Sequence, residues 1–272
     1  MYLLEIIKVT FIGIIQGITE WLPISSTGHM ILVNDLIDLK VSKDFMDMFL
    51  VLVQLSSIMA VITLFFKKLN PFDSQKSPAK KQETLKLWYK IIIASLPAAV
   101  IGLLLDKTIN DLFFNKITVS FALIIYGLLF LFIEKQESVS KIKDLNQLSY
   151  KTALLIGVFQ VLALIPGTSR SGSTILGAVI LGTSRHAAAE FSFFLAIPVM
   201  FGASFLKLVK HGLDFSIGEL GILAVGMLTA YIVSIFAISF LLDYIKKHSF
   251  KVFGIYRIIL GLIILAASFL RF

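Results

Sequence analysis

Long apolar runs separated by short charged segments set the layout of this chain. The runs cover residues 2–22, 28–37, 45–66, 87–105, 117–133, 152–165, 173–183, 187–209, 216–242 and 252–270. A helix needs about 20 apolar residues to cross a bilayer. Five runs meet that length: 45–66, 87–105, 187–209, 216–242 and 252–270. Run 117–133 is at the short limit. Runs 28–37, 152–165 and 173–183 are too short to cross alone. Run 2–22 is long enough, but it joins 28–37 around a polar interruption.

The interruptions are two polar clusters, each following a proline. The first reads Leu22-Pro23-Ile24-Ser25-Ser26-Thr27-Gly28-His29. The second reads Ile165-Pro166-Gly167-Thr168-Ser169-Arg170-Ser171-Gly172-Ser173-Thr174. Two half-helices joined by an irregular tip describe a re-entrant hairpin. Irregular backbone at membrane depth survives only where protein or water covers it, so both tips are expected to face an internal cavity. The expected fold is all-α, with about six spanning helices and two re-entrant hairpins, 2–37 and 152–183.

Lysine placement orients the spans. Segment 67–86 holds Lys67, Lys68, Lys76, Lys80, Lys81 and Lys86. Segment 134–151 holds Lys135, Lys141, Lys143 and Lys151, and segment 243–251 holds Lys246, Lys247 and Lys251. Positively charged loops stay on the inner side. Loops 38–44, 106–116 and 207–215 then lie outside, and Arg271 snorkels at the outer end of the last span. This alternation requires each hairpin to enter and leave by one side, the first from outside and the second from inside. The halves also match. Gly13 and Gln16 fall 144 residues before Gly157 and Gln160, whereas Pro23 falls 143 before Pro166. Residues 1–272 are read as one membrane domain of two inverted repeats, about 1–135 and 150–272, with the broken helices meeting near the midplane.

Composition agrees. Of 272 residues, 57% are hydrophobic and 15% charged, against about 25% charged in soluble domains; the mean hydropathy is +0.91. The net charge of +8 suits loop lysines and anionic lipid headgroups. No basic stretch is interleaved with aromatics on a soluble face, so no nucleic acid partner is expected. The absence of cysteine excludes disulfides and thiol chemistry. Glu5, Lys8, Gln16 and Glu20 interrupt the first run, so it is not read as a cleavable signal.

Polar groups inside a membrane chain need a polar ligand or one another. Two clusters in matching places suggest one site built twice over. In the second, Pro166 and Gly167 stop a helix, and Thr168, Ser169, Arg170, Ser171, Ser173 and Thr174 crowd the start of the next. Free N–H groups, hydroxyls and a guanidinium together make an oxyanion site. In the first, Gln16 and Glu20 share a helical face and suit a divalent cation that keeps several waters. Ser25, Ser26 and Thr27 offer donors or a nucleophile, and His29 stands three residues from Ser26, within reach of its proton if the turn allows. Together these parts fit phosphoryl transfer on a lipid with a phosphorylated head. No Gly-x-x-x-x-Gly-Lys-Ser/Thr loop is present, so nucleotide is not expected to drive it.

Gln16-x-x-x-Glu20, Trp21 through His29, and Pro166-Gly167-Thr168-Ser169-Arg170-Ser171 resemble the undecaprenyl-diphosphate phosphatases of the bacitracin-resistance type. Gly182 through Arg185, Glu190 through Phe193, Ala196-Ile197-Pro198 and Tyr256 through Gly261 extend the likeness over essentially the whole chain. The resemblance implies hydrolysis of undecaprenyl diphosphate to its monophosphate and inorganic phosphate. It also implies a bacterial inner membrane enzyme that recycles a cell-wall carrier lipid, dependent on a divalent cation (Mg or Ca). Glu20, Ser26, His29 and Arg170 would be its main catalytic positions. The neutral Gln16 argues against a two-carboxylate metal site. The nucleophile is either Ser26 or water.

Plainer roles are expected elsewhere. Ser184 is read as a helix cap, Arg185 and Glu190 as partners of each other or of lipid, and Arg257 as an anchor for the inner end of the last span. The competing functions are a transporter or scramblase, typical of inverted repeats, and a membrane scaffold. Neither has a use for the set Ser26, His29 and Arg170.

Overall fold

The structure, a computed structural model, describes residues 2–37, 39–134, 140–211 and 215–269. The described residues fold into helices α1 (Tyr2–Thr19), α2 (Ser26–Leu36), α3 (Lys43–Leu64), α4 (Phe66–Leu69), α5 (Pro78–Phe113), α6 (Lys116–Ile133), α7 (Tyr150–Val161), α8 (Arg170–Ile180), α9 (Arg185–His211), α10 (Ile217–Tyr244) and α11 (Lys251–Phe269). Tight 3-10 turns occupy Leu145–Gln147 and Leu162–Leu164. Six helices are long and apolar enough to cross a membrane: α3, α5, α6, α9, α10 and α11. They coincide with the six spans expected from the runs. α1 is not among them, and α2 and α8 are half-helices of 11 residues each. Lys135 and Arg271 lie outside the described residues.

Two expected loops are helical. α5 starts at Pro78 and ends at Phe113, so 78–86 and 106–113 are helix rather than connection. Ser77 caps the amide of Lys80, and Pro78 fills the first turn, where its missing N–H costs nothing. The next turns, Lys80-Lys81-Gln82-Glu83, are good helix formers. Their polarity hides them from a hydropathy pattern.

The helices pair in a two-fold arrangement. α6 packs along α11, α1 along α10, α5 along α7, and α3 against both α9 and α10. Exchanging α1 with α7, α3 with α9, α5 with α10 and α6 with α11 turns the α1–α10 pair into α7–α5. The same exchange maps α6–α11 and α3–α9 onto themselves. The matched glycines explain themselves here. A Cβ on Gly13 would lie 2.9 Å from the Gly226 carbonyl oxygen on α10, and one on Gly157 would overlap the Ala94 carbonyl on α5. Both are contact points where two backbones touch. Gly157→Ala is therefore expected to push α7 off α5 and destabilise the fold by about 1–3 kcal/mol, read as a lower melting temperature in detergent.

The two tips share one backbone conformation. Ser25 and Ser169 have φ of 73° and 72° and each caps a half-helix through its hydroxyl, accepting from Gly28 N and Gly172 N respectively. A positive φ in a residue other than glycine costs about 1–3 kcal/mol and persists only where the surroundings enforce it. The serines are 144 residues apart, like the glycine and glutamine pairs. The residue missing before Pro166 is restored as Gly167, so the register recovers at the cap. Ser26 thus corresponds to Arg170.

Candidate functional site

The tips meet inside the bundle. Glu20 ends the first half-turn beyond α1 and is 5% exposed. Its Oε1 accepts from Arg170 Nη2 at 3.2 Å. Its Oε2 accepts from Gln16 Nε2 at 2.9 Å and from Ser26 Oγ at 3.3 Å. Arg170 stands at the first turn of α8. Its Nη1 donates to the Ser192 carbonyl on α9 at 2.8 Å, and its guanidinium lies 5.5 Å from the centre of the Trp21 ring. An arginine from one tip therefore confronts the glutamate and serine of the other. Arg170 Nε is buried and has no partner among the described residues, but the opposite charge beside the guanidinium spares it the penalty of an isolated ion.

His29 is held differently from expectation. Its Nδ1 lies 2.7 Å from the Ser25 carbonyl oxygen, which only accepts, so Nδ1 carries a proton. Its Nε2 lies 2.7 Å from the Tyr256 hydroxyl, and the two rings stack 5.6 Å apart. The Ser26 hydroxyl turns to Glu20 instead, so His29 does not take a hydrogen bond from Ser26 here. The turn at Ser25 aims the imidazole at α11 rather than back along the tip.

The predicted substrate-binding hydroxyls divide. Ser26, Thr27, Ser169 and His29 stay partly exposed, and the Arg170 side chain keeps 11% exposure. Ser25, Ser171, Ser173 and Thr174 are buried, and their hydroxyls are engaged inside the protein. Ser25 caps α2. Ser171 donates to the carbonyls of Glu20 and Leu22 at 3.2 and 3.3 Å. Ser173 donates to the Phe159 carbonyl at 2.6 Å and meets the Tyr126 hydroxyl at 3.3 Å. Thr174 donates to the Arg170 carbonyl at 2.9 Å and lies 2.7 Å from the Ser192 hydroxyl. These four hydroxyls are engaged in building the tips. Buried hydroxyls must find partners, and carbonyls freed by the broken helices are the nearest.

Segment 152–183, which carries the second tip, lacks a carboxylate. Gln160, the counterpart of Gln16, is 2% exposed, and its amide oxygen and nitrogen have no partner among the described residues. Leu164 stands where Glu20 stands in the first repeat. The centre is thus composite: one tip supplies the carboxylate, serine and histidine, the other the arginine. No group of three or more His, Cys, Asp or Glu gathers among the described residues. One carboxylate with amide and hydroxyl oxygens still fits a hard cation that takes its other ligands from phosphate and water. Gln16 now presents its NH2 to Glu20 and must rotate to share a cation with it.

Several plain readings change. Arg257 is not an anchor at the membrane surface. It is 0% exposed and donates to the carbonyls of Pro23, Gly167 and Thr168. Arg185 pairs with Glu134, and Glu190 with Lys68, rather than with each other; both partners lie on segments distant in sequence. Ser184 does cap α9, through the amide of Ala187. Sequence reasoning missed Ser192, Tyr126 and Tyr256 as neighbours of the tips. Arg257, a charge inside an apolar run, was the one available signal.

Comparison with known proteins finds relatives over nearly the whole chain. Residues 9–263 match the family "Bacitracin resistance protein BacA". Undecaprenyl-diphosphatase 1 of Clostridioides difficile strain 630 is 59% identical over 268 residues, 98% of each chain. Undecaprenyl-diphosphatase of Acetivibrio thermocellus is 58% identical over 264 residues, 96% of this chain and 97% of the relative. That of Enterococcus faecalis strain V583 is 56% identical over 263 residues, 95% of each.

Proposed function

The chain belongs to the bacitracin resistance protein BacA family, and from that membership we propose that it hydrolyses undecaprenyl diphosphate to undecaprenyl phosphate and inorganic phosphate. It is a multi-pass membrane phosphatase that returns a carrier lipid to bacterial cell-wall synthesis. The observation that carries this reading is the ion pair joining Arg170 of one tip to Glu20 of the other, beside the half-exposed Ser26.

The resting site is close to neutral, because Arg170 and Glu20 satisfy each other. A diphosphate head competes for Arg170, and Thr27 and Ser169 add donors beside it. The guanidinium then grips phosphate oxygens in place of the carboxylate. Glu20, released from Arg170, and Gln16 are the residues that would hold a divalent metal (Mg or Ca). That metal, when bound, neutralises charge on the phosphates. Ser26 attacks the terminal phosphorus, the anhydride P–O bond breaks, and undecaprenyl phosphate departs. Glu20 already accepts the Ser26 hydrogen and so orients the hydroxyl. His29, with Nδ1–H fixed on Ser25 O, offers Nε2 to shuttle the proton once Tyr256 yields it. Water then releases phosphate from the serine.

The two hairpins are re-entrant and enter from opposite sides of the bacterial inner membrane, with the site open to the outer face. The lysine-rich segments on the other side support this orientation. A passive lipid transporter has no need of a serine hydrogen-bonded to a buried carboxylate.

Hydrolysis by purified protein in vesicles of known orientation tests the reading. Phosphate release from externally added undecaprenyl diphosphate is expected by outward-oriented protein and is expected to stop on chelation. Rapid quench with labelled substrate is expected to trap phosphate on Ser26. Its absence during a single turnover assigns the attack to water, with Ser26 a ligand donor.

A further inference from the structure

Arg257 is wholly buried, 0% exposed, two turns into α11. It has no carboxylate partner among the described residues. Its Nη1 donates to the Pro23 carbonyl at 3.2 Å, and its Nη2 to the Gly167 and Thr168 carbonyls at 2.9 Å each. Pro23 belongs to the first tip; Gly167 and Thr168 belong to the second. One planar group therefore holds the irregular backbone of both. The guanidinium lies 5.5 Å from the centre of the Tyr126 ring of α6, and its Nη1 is the nearest atom to the space where Gly172 would carry a Cβ, at 3.0 Å. Arg257 is thus enclosed by α6, α8 and both tips.

The broken helices leave carbonyls with no helical partner at membrane depth, where each unmet group is costly. A lysine ammonium, a compact head on a flexible stem, matches this geometry poorly; the rigid fork of arginine meets carbonyls arriving from two directions. The neighbouring Tyr256 holds His29 from the same turn of α11. The last helix thereby holds each tip by two hydrogen bonds.

We propose that Arg257 is a positioning residue for phosphoryl transfer: it sets the distance between the two tips, and so holds Ser26 and Glu20 of one against Arg170 of the other. This rests on the hydrolytic function proposed above. Substrate capture depends mostly on Arg170 and the donors beside it. The step after capture needs both tips in register, where a misplacement of about 1 Å costs about a hundredfold. Loss of the fork is therefore expected to act on kcat more than on KM.

The test compares wild type with Arg257→Lys and Gly172→Ala. Arg257→Lys keeps the charge and loses the fork. Gly172→Ala keeps the arginine and presses a methyl on its Nη1. We expect kcat to fall at least tenfold in Arg257→Lys, with KM within about threefold, and a smaller fall of the same kind in Gly172→Ala. Arg185→Lys, in the remote pair with Glu134, is the control and is expected to leave kcat unchanged. A structural readout runs in parallel. The chain has no cysteine, so spin labels at Leu36→Cys on α2 and Ile180→Cys on α8, both exposed, report the tip helices alone. Arg257→Lys is expected to broaden or shift their distance distribution. Wild-type kcat in Arg257→Lys, or a fall in kcat with the distribution unchanged, overturns the proposal. If Arg257→Lys fails to fold, Gly172→Ala decides by the same two readouts. An inactive wild type would instead refute the hydrolytic reading and leave the distance measurement to judge the staple.

Discussion

Replacing Arg170 with alanine is expected to lower kcat/KM for undecaprenyl diphosphate by about a thousandfold or more. Two losses add in that variant. The first is the charged fork itself, which binds phosphate oxygens through charge-assisted hydrogen bonds. The second is left behind in the protein: Glu20, 5% exposed, keeps a charge with no cation beside it. Removing one partner of a buried pair costs about 3–5 kcal/mol of folding stability, so a lower melting temperature in detergent is expected to accompany the loss of activity. The anionic substrate then meets a carboxylate where it had met a guanidinium. Arg170→Lys is expected to recover only part of the loss. Lysine restores charge but cannot reach Ser192 O and Glu20 with the fixed fork that makes those bonds at 2.8 and 3.2 Å. Steady-state kinetics in detergent measure both variants. Arg170→Ala within tenfold of wild type would place the diphosphate elsewhere.

Glu20→Gln is expected to have an effect of similar size with a different signature. The substitution keeps the shape and removes the charge. Arg170 then has no anionic partner in the resting site, so an incoming diphosphate no longer competes with a carboxylate. KM is expected to stay level or fall. kcat is expected to fall by about a hundred- to ten-thousandfold, the range typical of losing an acid–base group. The rate that remains is expected to show a weaker response to added Mg or Ca, because the one carboxylate that the described residues bring to the centre is gone. Measuring kcat and KM across a titration of the divalent ion tests all three expectations. A variant with wild-type kcat and an unchanged metal response would show that Glu20 serves only as the counter-ion of Arg170.

The relation of the two glutamines shows how duplication and function part. Gln16 and Gln160 sit at equivalent places on α1 and α7, each three residues after a glycine that lets two helices touch. Gln16 has Glu20 to bond, while Gln160 has no partner among the described residues. The fold repeats because close helix approach and a capped half-helix are needed on both sides. The polar set does not repeat: the carboxylate comes from the first tip and the arginine from the second.

The linear pattern by itself determined the number of spans and the two interruptions. Burial in lipid demands an unbroken apolar run of fixed length, and a proline beside a row of hydroxyls is visible wherever it falls. The same pattern placed Arg170, Glu20 and Ser26 in one site, since charges inside such runs must find each other. It misplaced the ends of α5, whose polar turns resemble a loop. The tertiary structure alone decided the rest. It turned His29 toward Tyr256, engaged Ser171, Ser173 and Thr174 with carbonyls, and set Arg257 between the tips. These outcomes depend on where freed carbonyls and ring faces from distant helices come to lie, and direction in space is not written in the order of residues.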